Sequence, residues 1–142
     1  MTKIEKFFAR YEEGANSFDP DFVCPQYTEE FMGGGPNGVR CGRNDEDLRK
    51  AILQRQAFFR GIGFKRAKIL RIEETPLDDR YTMAKVHWHM SFEAQPARQL
   101  EFRFALTYFL FDGGLGPKVA FWISHDDEQK VMRDAGLIPA ET

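Results

Sequence analysis

The sequence predicts an α+β domain in which N-terminal helices pack against long antiparallel strands. Three observations carry that expectation. Apolar residues recur at helical spacing in the first half of the chain, they alternate at strand spacing in the second half, and turn residues separate the strand segments. Helices followed by strands, rather than interleaved with them, are the order of an α+β domain and not of a βαβ fold.

The first helix opens at Thr2, which forms a capping box with Glu5. Ile4, Phe7, Phe8 and Tyr11 follow at i, i+3, i+4 and i+7 as one apolar stripe, and Gly14 is expected to end the helix. Asp19-Pro20 gives a cap and a proline at the first helical position, so a short second helix starts there until Pro25 breaks it. The stretch from Met32 to Gly42 is glycine-rich but lacks the Gly-Lys-Ser/Thr ending of a phosphate loop. It reads as a loop or a short irregular hairpin. Asn44 is expected to cap the third helix, with Asp45, Glu46 and Asp47 at the positive end of its dipole. Leu48, Ala51, Ile52, Phe58, Phe59 and Ile62 form its buried stripe, and Gly61 and Gly63 stop it.

Four strands are predicted, at residues 65–74, 81–93, 99–111 and 118–124. Turn chemistry joins them at Pro76-Leu77-Asp78-Asp79, at Gln95-Pro96-Ala97 and from Asp112 to Pro117. In the second strand Ala84, Val86, Trp88, Met90 and Phe92 alternate with Lys85, His87, His89, Ser91 and Glu93. In the third, Leu100, Phe102, Phe104, Leu106 and Tyr108 alternate with Glu101, Arg103, Ala105 and Thr107. A bulge would swap the faces beyond it, so parity alone does not fix the inward side along such long strands.

A length of 142 residues without repeat, linker or low-complexity tract gives one domain, 1–142. The 42% hydrophobic and 30% charged content places the chain with soluble globular proteins. No apolar run could span a bilayer and residues 1–6 hold no signal core, so a cytoplasmic location is expected and a membrane partner is not. The net charge of −2 argues against a nucleic-acid partner. The basic cluster Lys65, Arg66, Lys68 and Arg71 suits the solvated side of a strand. Cys24 and Cys41 are expected to be reduced.

The informative end is the tail. A buried strand ends in Trp122, Asp126 follows four residues later, then come a short helix and the stop Gly136-Leu137-Ile138-Pro139. Asp126 with Gln129 is a capping signature, yet a carboxylate desolvated beside Trp122 would suit acid/base work. A cap accepts backbone N–H bonds that lower its pKa, so the two roles are partly exclusive. His125 is a second candidate base, although either it or Ser124 faces inward. The candidate pocket lining is Tyr11, Tyr27, Phe31, Met32, Phe59, Trp88, Tyr108, Phe109 and Trp122. His87 and His89 share a strand face, but with Glu93 or Glu101 they match no metal signature, so neither metal nor cofactor is expected.

Three helices followed by long strands wrapping a helix resemble the nuclear transport factor 2-like fold, a cone with a pocket inside, over nearly the whole chain. Within that superfamily the tail resembles the SnoaL-like polyketide cyclases, whose strand Trp, Asp four residues on, helix and Gly-Leu-x-Pro match Trp122, Asp126, Gly136, Leu137 and Pro139. Val86-x-Trp88 on the middle strand is also similar. The resemblance implies that Asp126 is the acid/base and that the pocket takes a small apolar or aromatic, polyketide-like metabolite. Residues 89–95 depart from the His- and Gly-containing segment of many cyclases. Ketosteroid isomerase is similar by fold, with Tyr11 near its oxyanion-hole Tyr. Gly33 and Thr107 stand where its two carboxyl groups belong, so that chemistry lacks two parts. A homodimer through the outer sheet face is expected from Glu101 and Arg103 beside His87 and His89. The alternative to an enzyme is a ligand-binding or assembly domain, and the surroundings of Asp126 discriminate between them.

Overall fold

Capping and periodicity set the helical layer. In the computed structural model, which describes residues 1–94 and 97–139, helix α1 spans Lys3–Ser17. Thr2 and Glu5 form the reciprocal capping box at 2.9 and 3.0 Å. The helix runs through Gly14, where a stop was expected. It ends on Phe18, which turns left-handed at φ 53° and donates its N–H to the Gly14 carbonyl at 3.0 Å. A single glycine costs a helix only about 1 kcal/mol, less than the buried Phe18 ring contributes by anchoring the end. Helix α2, Pro20–Val23, opens on Asp19, and Pro25 turns the chain into a 3-10 turn at Cys24–Gln26.

Helix α3 spans Glu46–Gly61 and is capped by Asp45, not Asn44. The Asn44 amide donates instead to the carbonyls of Cys24 and Tyr27, at 2.7 and 3.1 Å, and so ties the start of α3 to the turn before the first strand. Its buried stripe is narrower than expected. Ile52 and Phe59 are buried, but Ala51 is exposed and Phe58 is 43% exposed. Ala51 lies on the face of α3 that roofs a cavity instead of lying flush on the sheet.

Six strands form one curved, unclosed sheet: β1 Tyr27–Gly35, β2 Gly38–Arg43, β3 Phe64–Pro76, β4 Tyr81–Ala94, β5 Arg98–Asp112 and β6 Pro117–Ser124, in the order β2-β1-β6-β5-β4-β3. Strands β3 to β6 are the four expected. The glycine-rich stretch is a regular hairpin, paired from Gly35 opposite Gly38 to Glu30 opposite Arg43. Strand β1 runs parallel to β6, so the sheet is mixed and not wholly antiparallel. Parallel neighbours need a long connection, and here β1 arrives from the helical layer with most of the sheet still to follow. The β4 alternation holds from Ala84 to Ala94, and β4 pairs with β5 without a bulge. Register shifts fall between β3 and β4 and, on β5 and β6, between Phe109 and Leu110. Inward residues meet α1 in a core centred on Phe8, Val86, Phe92, Leu110 and Val119. Gln95 and Pro96 of the expected third turn lie outside the described residues. Among the described residues no helix is long and apolar enough to cross a membrane.

Gly63 closes α3 onto the sheet. Its φ is +86°, and an added Cβ would stand 2.0 Å from the Glu93 carbonyl oxygen. Gly63→Ala is therefore expected to cost about 2–3 kcal/mol, from left-handed strain and a displaced strand. A change in unfolding free energy under about 0.5 kcal/mol in urea titrations would contradict this contact.

Candidate functional site

Aromatic side chains from α1, α3, β1, β4, β5 and β6 converge on one cavity of about 690 Å³. Of the predicted lining, Tyr11, Tyr27, Phe31, Phe59, Trp88, Tyr108 and Trp122 are there. Met32 and Phe109 are not, and both stand in register with Phe121. Strand parity explains it. Phe31 and Tyr108 face inward, so the residue after each faces outward, where Phe109 meets Phe121 at 5.5 Å between ring centroids. Trp122 can lie across β1 because Gly33 is opposite, where a Cβ would fall 2.4 Å from the indole. The exposed part of the lining is Cys41, Arg43, Asp45, Asp47, Ala51 and Arg55, which puts the mouth between α3 and the β1–β2 hairpin.

Three phenols, Tyr11, Tyr27 and Tyr108, are among the polar groups within. The Tyr11 and Tyr27 hydroxyls are 2.5 Å apart, and the Trp88 indole N–H donates to the Tyr108 hydroxyl at 3.1 Å. Tyr11 and Tyr108 meet edge to face at 5.3 Å. Burial pushes all three phenols well above the ordinary range, with the mutual proximity of their hydroxyls adding to it. They are neutral hydrogen-bonding groups at any physiological pH.

Asp45 and Asp47 are exposed at the mouth, and the carboxyl that faces the interior of the cavity is Glu128, the first residue of helix α4, Glu128–Asp134. Its Oε2 accepts from the Ser124 hydroxyl at 2.9 Å. Burial raises its pKa, against the opposing influence of the Ser124 bond and the Arg55 charge, with Asp126 adding to the rise. Glu128, Arg55 and Gln26 were not singled out from sequence, and Ser124 was weighed only as the alternative to His125 for facing inward. Ser124 shares strand parity with Trp122, the one signal that could have placed it inside.

Asp126 and His125 sit together, but neither lines the cavity. Asp126 Oδ2 accepts the Ala105 N–H at 3.0 Å, and the His125 N–H donates to the Ala105 carbonyl at 3.0 Å. The pair thus prolongs the β5–β6 pairing beyond Ser124. The exposed His125 ring meets Thr107 Oγ1 at 2.6 Å. Helix α4 is capped by Asp127, which accepts the Lys130 N–H at 3.1 Å. Asp126→Ala strands the Ala105 N–H and is expected to cost about 1–2 kcal/mol, whereas Asn keeps an acceptor and should cost less than half of that. Equal losses in urea titrations would contradict the strand-end role.

On the outer sheet face His87 Nε2 lies 2.6 Å from Glu73 and 3.1 Å from Arg71, while His89 lies 3.3 Å from Glu101. Among the described residues no three His, Cys, Asp or Glu side chains come together to hold a metal ion. Cys24 is buried, Cys41 is exposed, and both are free.

Helices inside a curved, unclosed sheet, with the cavity between them, define an NTF2-like protein. Residues 2–127 match the family described as NTF2-like protein (DUF6841), and the chain belongs to that family. Solved structures agree on the fold. Aln2 of a Streptomyces species is 11% identical over 92% of this chain and 93% of its own, with a TM-score of 0.71. A ketosteroid isomerase-like protein of Erwinia carotovora is 14% identical over 86% and 92%, at 0.66. An NTF-2 like protein of unknown function from Shewanella oneidensis is 16% identical over 87% and 97%, at 0.65. At such identities the likeness shows the fold alone. No curated protein matches the sequence significantly.

Proposed function

We propose that the protein binds a small, neutral, apolar or aromatic metabolite in its cone and turns it over by cofactor-free acid/base chemistry, with Glu128 as the proton-transfer group. The observation that carries this reading is a partly buried carboxyl of raised pKa in an aromatic-walled cavity of about 690 Å³. Such a volume suits a ligand of one to three rings. A carboxyl that keeps its proton nearer to neutral pH can both give and take one. The phenols Tyr11, Tyr27 and Tyr108 would orient a ligand oxygen without themselves ionising. The free thiols suit the reducing cytoplasm, the compartment this reading assigns.

Both tryptophans of the chain, Trp88 and Trp122, line the cavity, so their indole N–H resonances report its occupancy. Titration with 2-acetylnaphthalene is expected to shift both saturably, with a Kd below about 1 mM. If neither moves up to the solubility limit, the ligand-site reading falls.

We also propose a homodimer through the outer sheet face. Register sets Met83, Phe109, Phe121 and Met32 in one row across four strands, and Met32 is 37% exposed. This apolar row supports the contact more than the polar His87–Glu73 and His89–Glu101 pairs, which are satisfied within the sheet. Light scattering at micromolar concentration should give twice the 16.5 kDa chain mass. A monomer there would count against the proposal.

A further inference from the structure

Several of the cavity's other polar groups are matched with one another. Tyr11 meets Tyr27, Trp88 donates to Tyr108, and Ser124 donates to Glu128. Gln26 is different. It ends the 3-10 turn before β1 and lines the cavity beside Gly14 and Val23, with only 8% of its surface exposed. Neither its Oε1 nor its Nε2 has a hydrogen-bond partner among the described residues. Its Oε1 lies against Gly14, where an added Cβ would come within 3.3 Å of it. A buried amide left unpaired costs roughly 1–3 kcal/mol, and nothing in packing requires an amide here. Methionine would fill the same space without that cost.

We propose that Gln26 is a specificity-determining residue that reads the edge of a neutral carboxamide or lactam on the ligand. The proposal rests on the cavity being the ligand site. A primary amide offers an acceptor and a donor side by side, so its complement offers a donor and an acceptor side by side. A carboxamide or lactam does so. A ketone lacks the donor. A carboxylic acid is an anion at neutral pH, has no donor, and would share the cavity with the Glu128 carboxyl. A ligand that matches the amide is discriminated from one that leaves half of it unpaired.

The test is calorimetric titration of the full chain with naphthalene, 2-acetylnaphthalene and 2-naphthamide, the last two differing only by methyl against amino. The wild type should bind the amide about tenfold more tightly than the ketone. In Gln26→Met that gap should close, with the amide losing more affinity than the ketone and naphthalene affinity staying within about twofold, and the variant should be as stable as the wild type or more so. The Gln26 side-chain NH2 resonances of the wild type should shift with the amide and not with naphthalene, a readout that needs no variant. If naphthalene and the ketone bind but the amide has no advantage, or keeps it in Gln26→Met, the Gln26 assignment is overturned and the cavity reading stands. A Gln26→Met protein that fails to fold would show that the amide has structural partners, and it too overturns the assignment. If none of the three compounds binds, both readings fall.

Discussion

Phe8→Ala is expected to destabilise the fold by about 3–5 kcal/mol, a large share of the 5–15 kcal/mol that holds a domain of this size together. The ring is 0% exposed and sits where α1 enters the sheet. It contacts Phe7, Tyr11 and Tyr108 at centroid distances of 5.2, 5.7 and 5.2 Å, all edge to face. Removing it takes away both the burial of the ring and the support of two cavity phenols. The variant should therefore bind 2-acetylnaphthalene less tightly even where it remains folded. Urea unfolding checks the first effect, and a loss under about 1 kcal/mol would mean that α1 can collapse onto the sheet without the ring.

The stripe containing Phe8 was legible because periodicity is strong where a helix buries one face on a full core. The same signal was weaker on α3. Ala51 and Phe58 kept the right spacing but are exposed, Leu48 and Ile62 are partly buried against the core, and only Ile52 and Phe59 of the stripe are fully buried. Strand parity was legible on β4 because its pairing with β5 carries no bulge. It failed to mark β1, where glycines at 33, 34 and 35 erase the alternation. The cue present was Pro36-Asn37-Gly38, turn residues that lead from the first strand into the second. The parallel pairing of β1 with β6 had no local signal, because it depends on residues some ninety positions apart.

The site was legible in its walls and less so in its polar groups. Large inward aromatics declare themselves by type and parity, so Tyr11, Trp88, Tyr108 and Trp122 could be placed. Met32 and Phe109 were equally aromatic or apolar in character but fall on the outward parity. The polar groups depend on where the chain leaves the sheet. Beyond Ser124 the backbone of His125 and the side chain of Asp126 still bond β5, and only after Asp127 caps α4 does a carboxyl return to the cavity. Two residues of offset separate Asp126 from Glu128, and no spacing rule resolves that. Gln26 was invisible for another reason: an unpaired buried amide is a property of its surroundings and not of its neighbours in sequence.

Glu128→Gln separates an acid/base from a wall residue. Burial disfavours the ionised carboxyl in the folded protein, while in the unfolded chain it titrates near the ordinary 4.5. Below that pH the group is protonated in both states and the burial is harmless. As pH rises through 4.5 the unfolded chain releases its proton first, so wild-type stability falls until the folded pKa is passed. Glutamine has no proton to release and can still accept from Ser124. The variant should therefore gain stability relative to the wild type as pH rises from about 4 to 8. A difference that stays flat over this range, or that favours the wild type at high pH, would show that the carboxyl ionises freely and is not the desolvated group described here. The same variant tests the chemistry once a turned-over compound is in hand. Binding should be retained within a few-fold and turnover should drop by about 10²-fold or more. Full turnover with unchanged binding would leave Glu128 as a wall residue and the cone as a binding site without acid/base chemistry at this position.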